Sequence, residues 1–136
     1  MAMAAATACA QKGADEPVIG KPEIQVTDGR FTPEIMHLLG KVSDPRVSPD
    51  GTKILYGVGY TSIELNKSNR DLFVMNVDGS LNRQITFSAK SESNARWIDG
   101  GARIAYLRGG QIFTASPEGK DERQVSDVEG GISEFK

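Results

Sequence analysis

One cysteine and one histidine are all that this 136-residue chain offers to sulfur and imidazole chemistry. A lone Cys9 excludes an internal disulfide and a cysteine-rich zinc site, and a lone His37 excludes a histidine-based metal cluster. No apolar run approaches the roughly 20 residues that span a bilayer. An excess of positive charge is missing too. Sixteen Lys and Arg against 18 Asp and Glu leave a net charge of −2, with no basic footprint for nucleic acid. The G-x-S-x-G nucleophile elbow does not occur, and no serine has a base partner nearby in sequence. Asp44, Asp50 and Asp71 form no D-x-D-x-D-G calcium array and read as turn or strand-cap residues. Gly57-Val58-Gly59 leads into a polar loop, not a phosphate-cradling helix. Catalytic residues, a metal and a cofactor are therefore not expected of this chain.

What the chain does have is self-similarity. Arg46 to Tyr56 reads RVSPDGTKILY and Arg96 to Tyr106 reads RWIDGGARIAY, an offset of 50. Asp71 to Ser80 (DLFVMNVDGS) matches Gln111 to Lys120 (QIFTASPEGK), and Arg83 to Thr86 matches Arg123 to Ser126, both at an offset of 40. The ten extra residues lie between Tyr56 and Asp71 and read as a long hairpin loop, where the second unit has only Arg108-Gly109-Gly110. Each unit predicts four short strands rich in Val, Ile, Phe, Tyr and Thr. In the first they are Pro45–Val47, Lys53–Tyr56, Leu72–Asn76 and Gln84–Phe87. In the second they are Ala95–Trp97, Arg103–Leu107, Gln111–Ala115 and Gln124–Ser126. Asp78-Gly79 and Glu118-Gly119 supply matching turns.

Four strands at a period near 40 is the signature of a β-propeller blade. The expected class is all-β: two blades, with Glu134-Phe135-Lys136 opening a third. Propellers close with at least about four blades, so the count predicts an incomplete propeller within residues 43–136. Trp97 and Phe73 are expected in the core between blades, and Arg46 and Arg96 are expected to bond a neighbouring blade.

Ahead of the blades, residues 31–42 predict a short capping helix. Thr32 is its N-cap, Pro33 its first residue and Gly40 its terminator, with Ile35, Leu38 and Leu39 on one face. His37 faces away from Ile35 and Leu39 and reads as a solvated residue. Residues 11–30 form a polar lead-in. Residues 1–10, MAMAAATACA, read as the remnant of a signal peptide, with Ala8-Cys9-Ala10 as its small-residue cleavage site. This predicts a periplasmic or secreted protein. Lipidation of Cys9 is the weaker reading, since Ala6 stands where a lipobox has Leu.

Taken together, FTPEIMHLLGKVSDPRVSPDGTKILY, NRDLFVMNVDG, RQITF, ARW and EGGISEFK resemble the start of prolyl-oligopeptidase-family serine peptidases. Within them the dipeptidyl-peptidase and acylaminoacyl-peptidase-like branch is the nearest. The resemblance runs from Phe31 to Lys136; Ile98-Asp99-Gly100-Gly101 departs from the Ser-Pro-Asp-Gly turn. It implies a seven- or eight-bladed propeller over an α/β-hydrolase domain whose Ser-Asp-His triad lies outside this chain. It also implies short peptides as substrates, gated and oriented by the propeller, and it leaves room for a homo-oligomer of the whole protein. The parent protein would be an enzyme and this chain alone would not. In the segment from Gly57 to Arg70, Glu64 is the candidate to orient a substrate amine. The competing reading is a non-catalytic TolB-type periplasmic propeller that binds protein partners; the SPDG-like turns are common to both.

Overall fold

A computed structural model describes residues 16–136. The 1–10 segment and Cys9 lie outside the described residues. Helix α1 comprises Pro33–Leu38, with Pro at its start and the Thr32 hydroxyl accepting from the Ile35 N–H at 3.4 Å. It stops because Leu39 is already extended. The expected terminator, Gly40, has a different role. A Cβ there would sit 2.8 Å from the Tyr60 ring and 2.9 Å from a Val58 methyl, so glycine lets the chain pass close over the sheet. Ile35 and Leu38 are half-buried, whereas Leu39, expected on the same face, is exposed.

Two four-stranded antiparallel sheets follow. The first contains β1 (Lys41–Val47), β2 (Lys53–Ser62), β3 (Lys67–Asn76) and β4 (Arg83–Gln84). The second contains β5 (Glu92–Ile98), β6 (Arg103–Arg108), β7 (Gln111–Ala115) and β8 (Arg123–Gln124). Strands pair in sequence order in both sheets. The expected four-strand unit is therefore present twice, and its irregularities repeat as well. β1 and β5 each slip register, between Ser43 and Arg46 and between Ser93 and Arg96. At each slip a short polar residue adopts positive φ, Asp44 at 52° and Asn94 at 50°.

Three expectations change. The segment Gly57 to Arg70 is largely ladder, not loop: β2 and β3 stay paired out to Ser62 and Lys67. Its polarity reflects exposure of a projecting ribbon, where the Thr61 and Ser68 hydroxyls bond across the strands at 2.9 Å. The outer strands β4 and β8 are shorter than predicted because a side chain takes over their pairing. The Thr86 hydroxyl accepts from Leu72 N–H at 2.8 Å, and Ser126 does the same for Ile112 at 2.7 Å. Arg46 and Arg96 do not bond a neighbouring blade through their side chains. Arg46 pairs with Asp44 of its own bulge at 2.9 Å, and the buried Nη1 of Arg96 has no partner among the described residues. It is the Arg46 carbonyl that crosses, accepting from the Trp97 indole N–H at 2.9 Å.

The core lies between the sheets. Leu55, Leu72, Val74 and Ile85 from the first meet Ala95, Ile104, Tyr106 and Ala115 from the second. Trp97 packs against this cluster as expected, and each fully buried large side chain contributes about 1.5–3 kcal/mol. Phe73 is a correction. Leu72 and Val74 take the face toward the second sheet, so Phe73, out of phase by one residue, stacks on Tyr56 on the opposite face (5.7 Å). Its counterpart Phe113 stacks on Tyr106 (6.1 Å) and does join the inter-sheet core.

Polar side chains complete the junction. Glu92 is fully buried; it accepts from the Arg108 Nε at 2.7 Å and from the Thr86 hydroxyl at 2.7 Å. Arg108 also holds Glu122 through two nitrogens, at 2.6 and 2.9 Å, and its guanidinium lies over Tyr106 and Phe113. Burial opposes the charge on Arg108, but the hydrogen bonds it donates to Glu122 and Glu92 outweigh it and hold its pKa above the ordinary value. Glu122 is correspondingly held below the usual carboxylate range, first by its bond from Arg108. Asp71, expected to cap a strand, is instead fully buried, with neither carboxyl oxygen hydrogen-bonded among the described residues.

Two expected outcomes follow from this packing. Arg108→Ala leaves Glu92 buried without its cation and should lower unfolding free energy by about 3–5 kcal/mol in denaturant titration. Gly79 and Gly119 occupy the same turn at φ of +85° and +77°. A Cβ on Gly79 meets nothing within 4 Å, whereas on Gly119 it lies 2.3 Å from the Ile85 carbonyl oxygen. Gly79→Ala should therefore cost only the backbone strain of about 1–2 kcal/mol, and Gly119→Ala clearly more, measured the same way.

Candidate functional site

The ten-residue insertion makes the β2–β3 hairpin the feature that distinguishes the first blade from the second. Its tip, Ile63 to Asn66, closes by the Asn66 N–H bonding the Ile63 carbonyl at 3.2 Å, with Asn66 at φ 48°. The Ser62 hydroxyl accepts from Leu65 N–H at 3.2 Å. Ser62 and Asn66 thus fix a loop in which Ile63 and Leu65 are apolar and exposed. Glu64 stands between them, also exposed.

The N-terminal segment lies alongside. Lys67 donates to Glu16 at 2.8 Å, holding that carboxyl below the usual range, and the chain then runs past the tip. Between segment, helix and tip is a groove of about 360 Å³ lined by Val18, Ile19, Leu38, Ile63, Glu64 and Leu65. A second groove of about 430 Å³ is lined by Pro33, Glu34, His37, Ser62, Ile63 and Asn66. The Glu34 carboxyl is held below its usual range by its own backbone N–H and then by the Thr32 hydroxyl. The structure therefore sets Glu64 on the lining of one groove and His37 on that of the other, with Ile63 common to both. His37 and Ser62 share the second groove, but among the described residues no hydrogen bond joins them. The arrangement can hold an extended, partly apolar chain beside an acidic group; it contains no assembled nucleophile.

Sequence reasoning singled out Glu64 and missed its setting. The signal available was the run Ser62-Ile63-Glu64-Leu65-Asn66, where two apolar residues flank an acid in an otherwise polar stretch. It also missed the buried Asp71–Thr86–Glu92 cluster. The only hint there was an acid, Asp71, at the position that Gln111 fills in the second unit.

Four-stranded antiparallel sheets of repeating sequence, docked face to face through a shared core, define consecutive blades of a β-propeller. Comparison with known proteins narrows this. No protein-family model matches the chain. Dipeptidyl-peptidase 5 of Porphyromonas endodontalis is 34% identical over 121 residues, covering 85% of this chain and 18% of that protein. Dipeptidyl-peptidase 5 of Porphyromonas gingivalis is 38% identical over 81 residues, covering 60% of this chain and 12% of that protein. Among solved structures, an acylaminoacyl peptidase from Pyrococcus horikoshii superposes with a TM-score of 0.57 at 21% identity over 68% of this chain and 15% of the other. The β-propeller domain of the Trilobed protease from Pyrococcus furiosus gives a TM-score of 0.51 at 20% identity over 64% of this chain and 27% of the other. By sequence the chain is homologous to dipeptidyl-peptidase 5 proteins, and by fold it is a propeller portion of the kind found in these peptidases. It spans less than a fifth of the length of the curated relatives, 18% and 12%. Among the described residues no helix is long and apolar enough to cross a membrane.

The Lys67–Glu16 pair is exposed at both ends, so it contributes little to global stability. Lys67→Ala should leave the unfolding free energy essentially unchanged while releasing the N-terminal segment. A glutamyl endopeptidase should then cleave after Glu23, which Ile24 follows, faster than in the unsubstituted chain, as read by mass spectrometry.

Proposed function

We propose that this chain is the entry portion of the propeller of an exported serine peptidase that removes short units from peptides. Homology to dipeptidyl-peptidase 5 over 85% of the chain carries this reading. The propeller's part is selection and orientation. The projecting hairpin narrows access, Ile63 and Leu65 offer apolar contacts, and the Glu64 carboxylate pairs with the free α-amino group of a bound peptide. That pairing fixes the distance from the peptide's N-terminus to the scissile bond, which is how a peptidase counts residues. Bond cleavage belongs to a serine-based α/β-hydrolase domain outside this chain, a reading supported by the homology to a peptidase of which this chain covers 18%. The protein operates in the periplasm or outside the cell.

The test uses the whole protein that contains this chain. It should release p-nitroaniline from dipeptidyl p-nitroanilides and lose that activity to a serine-directed fluorophosphonate. Glu64→Gln should lower kcat/KM for free-amine substrates by about tenfold or more while leaving N-acetylated analogues nearly unchanged. Absence of any peptidase activity would remove the reading altogether. An equal loss on both substrate types would remove only the role given to Glu64. Recovery of the protein from the cytosolic fraction of its native cells would contradict export.

A further inference from the structure

We propose that the junction between the two blades is closed by a proton on Asp71, and that release of this proton loosens the connector from Thr86 to Glu92. Asp71 is fully buried and neither of its carboxyl oxygens has a hydrogen-bond partner among the described residues. Its neighbours along β3 are the residues that fasten the connector. Asn69 donates to the Ser88 carbonyl at 2.8 Å, and the Arg70 N–H reaches the Ser91 hydroxyl at 3.1 Å. Arg70 Nη1 reaches the Glu92 carbonyl at 2.8 Å, and the Leu72 N–H reaches the Thr86 hydroxyl at 2.8 Å. Asp71 therefore sits in the middle of the fastening.

The repeat shows what this position normally receives. In the second blade it is held by Gln111, whose amide oxygen accepts from the Ser126 hydroxyl at 2.8 Å and the Val128 N–H at 3.0 Å. In the first blade the matching hydroxyl, Thr86, donates to Glu92 at 2.7 Å instead. The Thr86 hydroxyl is directed at a second buried acid, and its residual pull on Asp71 is weaker than burial and the Glu92 charge. A carboxylate buried without donors is strongly disfavoured, and the neutral acid is the form the site accommodates.

The charged and titratable groups around it agree. From β5, Glu92 is a like charge; from β6, Arg108 attracts but is already engaged by Glu92 and Glu122. From β2, the Tyr60 phenol is pushed up by burial and then by Tyr56 and Asp71, so it stays neutral. On β3 itself, Arg70 is directed to Ser43 and the Glu92 carbonyl. Burial first, and Glu92 second, push the Asp71 carboxyl from 3.8 up to about 7. Because the folded value is the higher one, the stabilising contribution of this proton is complete below the unfolded value. It is lost as pH rises through the folded one, so the junction weakens toward neutral pH and is weakest above it.

The test is carried out on the full chain. With aspartate labelled at the carboxyl carbon, one NMR resonance should titrate near pH ~7 and vanish in Asp71→Asn. Glu92→Gln should move that midpoint to lower pH. Amide protection of Ser91 and Glu92, corrected for intrinsic exchange, should fall about tenfold or more between pH ~6 and ~8 in the parent and stay level in Asp71→Asn. Aspartate resonances that all titrate below pH ~5 would overturn the assignment of the proton. Protection that falls equally in parent and Asp71→Asn, or in neither, would overturn its control of the connector.

Discussion

The Arg108 guanidinium is the point on which the two blades depend. It is a cation on β6 that neutralises Glu92, a carboxylate with no solvent exposure at the start of β5. Glu92 in turn orients Thr86, and the Thr86 hydroxyl completes the pairing of Leu72 where the short outer strand ends. From one cation the chain of contacts thus runs through the inter-blade connector into the centre of the first sheet. Apolar burial between Leu55, Leu72, Ile104 and Tyr106 supplies the bulk of the adhesion, but it is non-directional. The ion pair and the Trp97 bond to the Arg46 carbonyl supply direction, fixing where one sheet sits on the other.

This clasp is a property of the junction and not of the blade. At the repeat-equivalent positions of Glu92, Arg108 and Glu122, the first blade has Val42, Val58 and Asn82. The aromatic stack and the tyrosine hydroxyl bond persist in both blades: Tyr56 donates to Asn82 at 2.6 Å, as Tyr106 donates to Glu122. One scaffold has therefore been given an ionic surface in the second blade and an apolar one in the first, where Val42 is 67% exposed. The two blades share an architecture while differing in the surface each presents on this face.

Much of the fold was legible because repeat and turn chemistry are local. Asp-Gly and Glu-Gly turns, alternating β-formers and the Thr32-Pro33 helix start all depend on neighbours a few residues away. What was illegible depended on partners far along the chain. The extension of β2 and β3 to Ser62 and Lys67 hid behind a polar composition that marks an exposed ribbon as readily as a loop. The face taken by Phe73 followed from strand phase, which the apolar run around it could not show. Arg46 and Arg96 were misread because repetition signals a shared structural position without saying which atom of the residue is used. At the candidate site, Glu64 was found as an acid in a long insertion, but the groove beside it required the N-terminal segment and the helix to be placed in space.

The central claim is that two repeat units are coupled through a directed junction into a single cooperative unit. Native-state hydrogen exchange under increasing denaturant tests this most directly, using the slowest amides of β2 and β3 against those of β6 and β7. The account predicts that both sets converge on one unfolding free energy with one denaturant dependence. Two separate isotherms, with one sheet opening at lower free energy while the other stays closed, would contradict it.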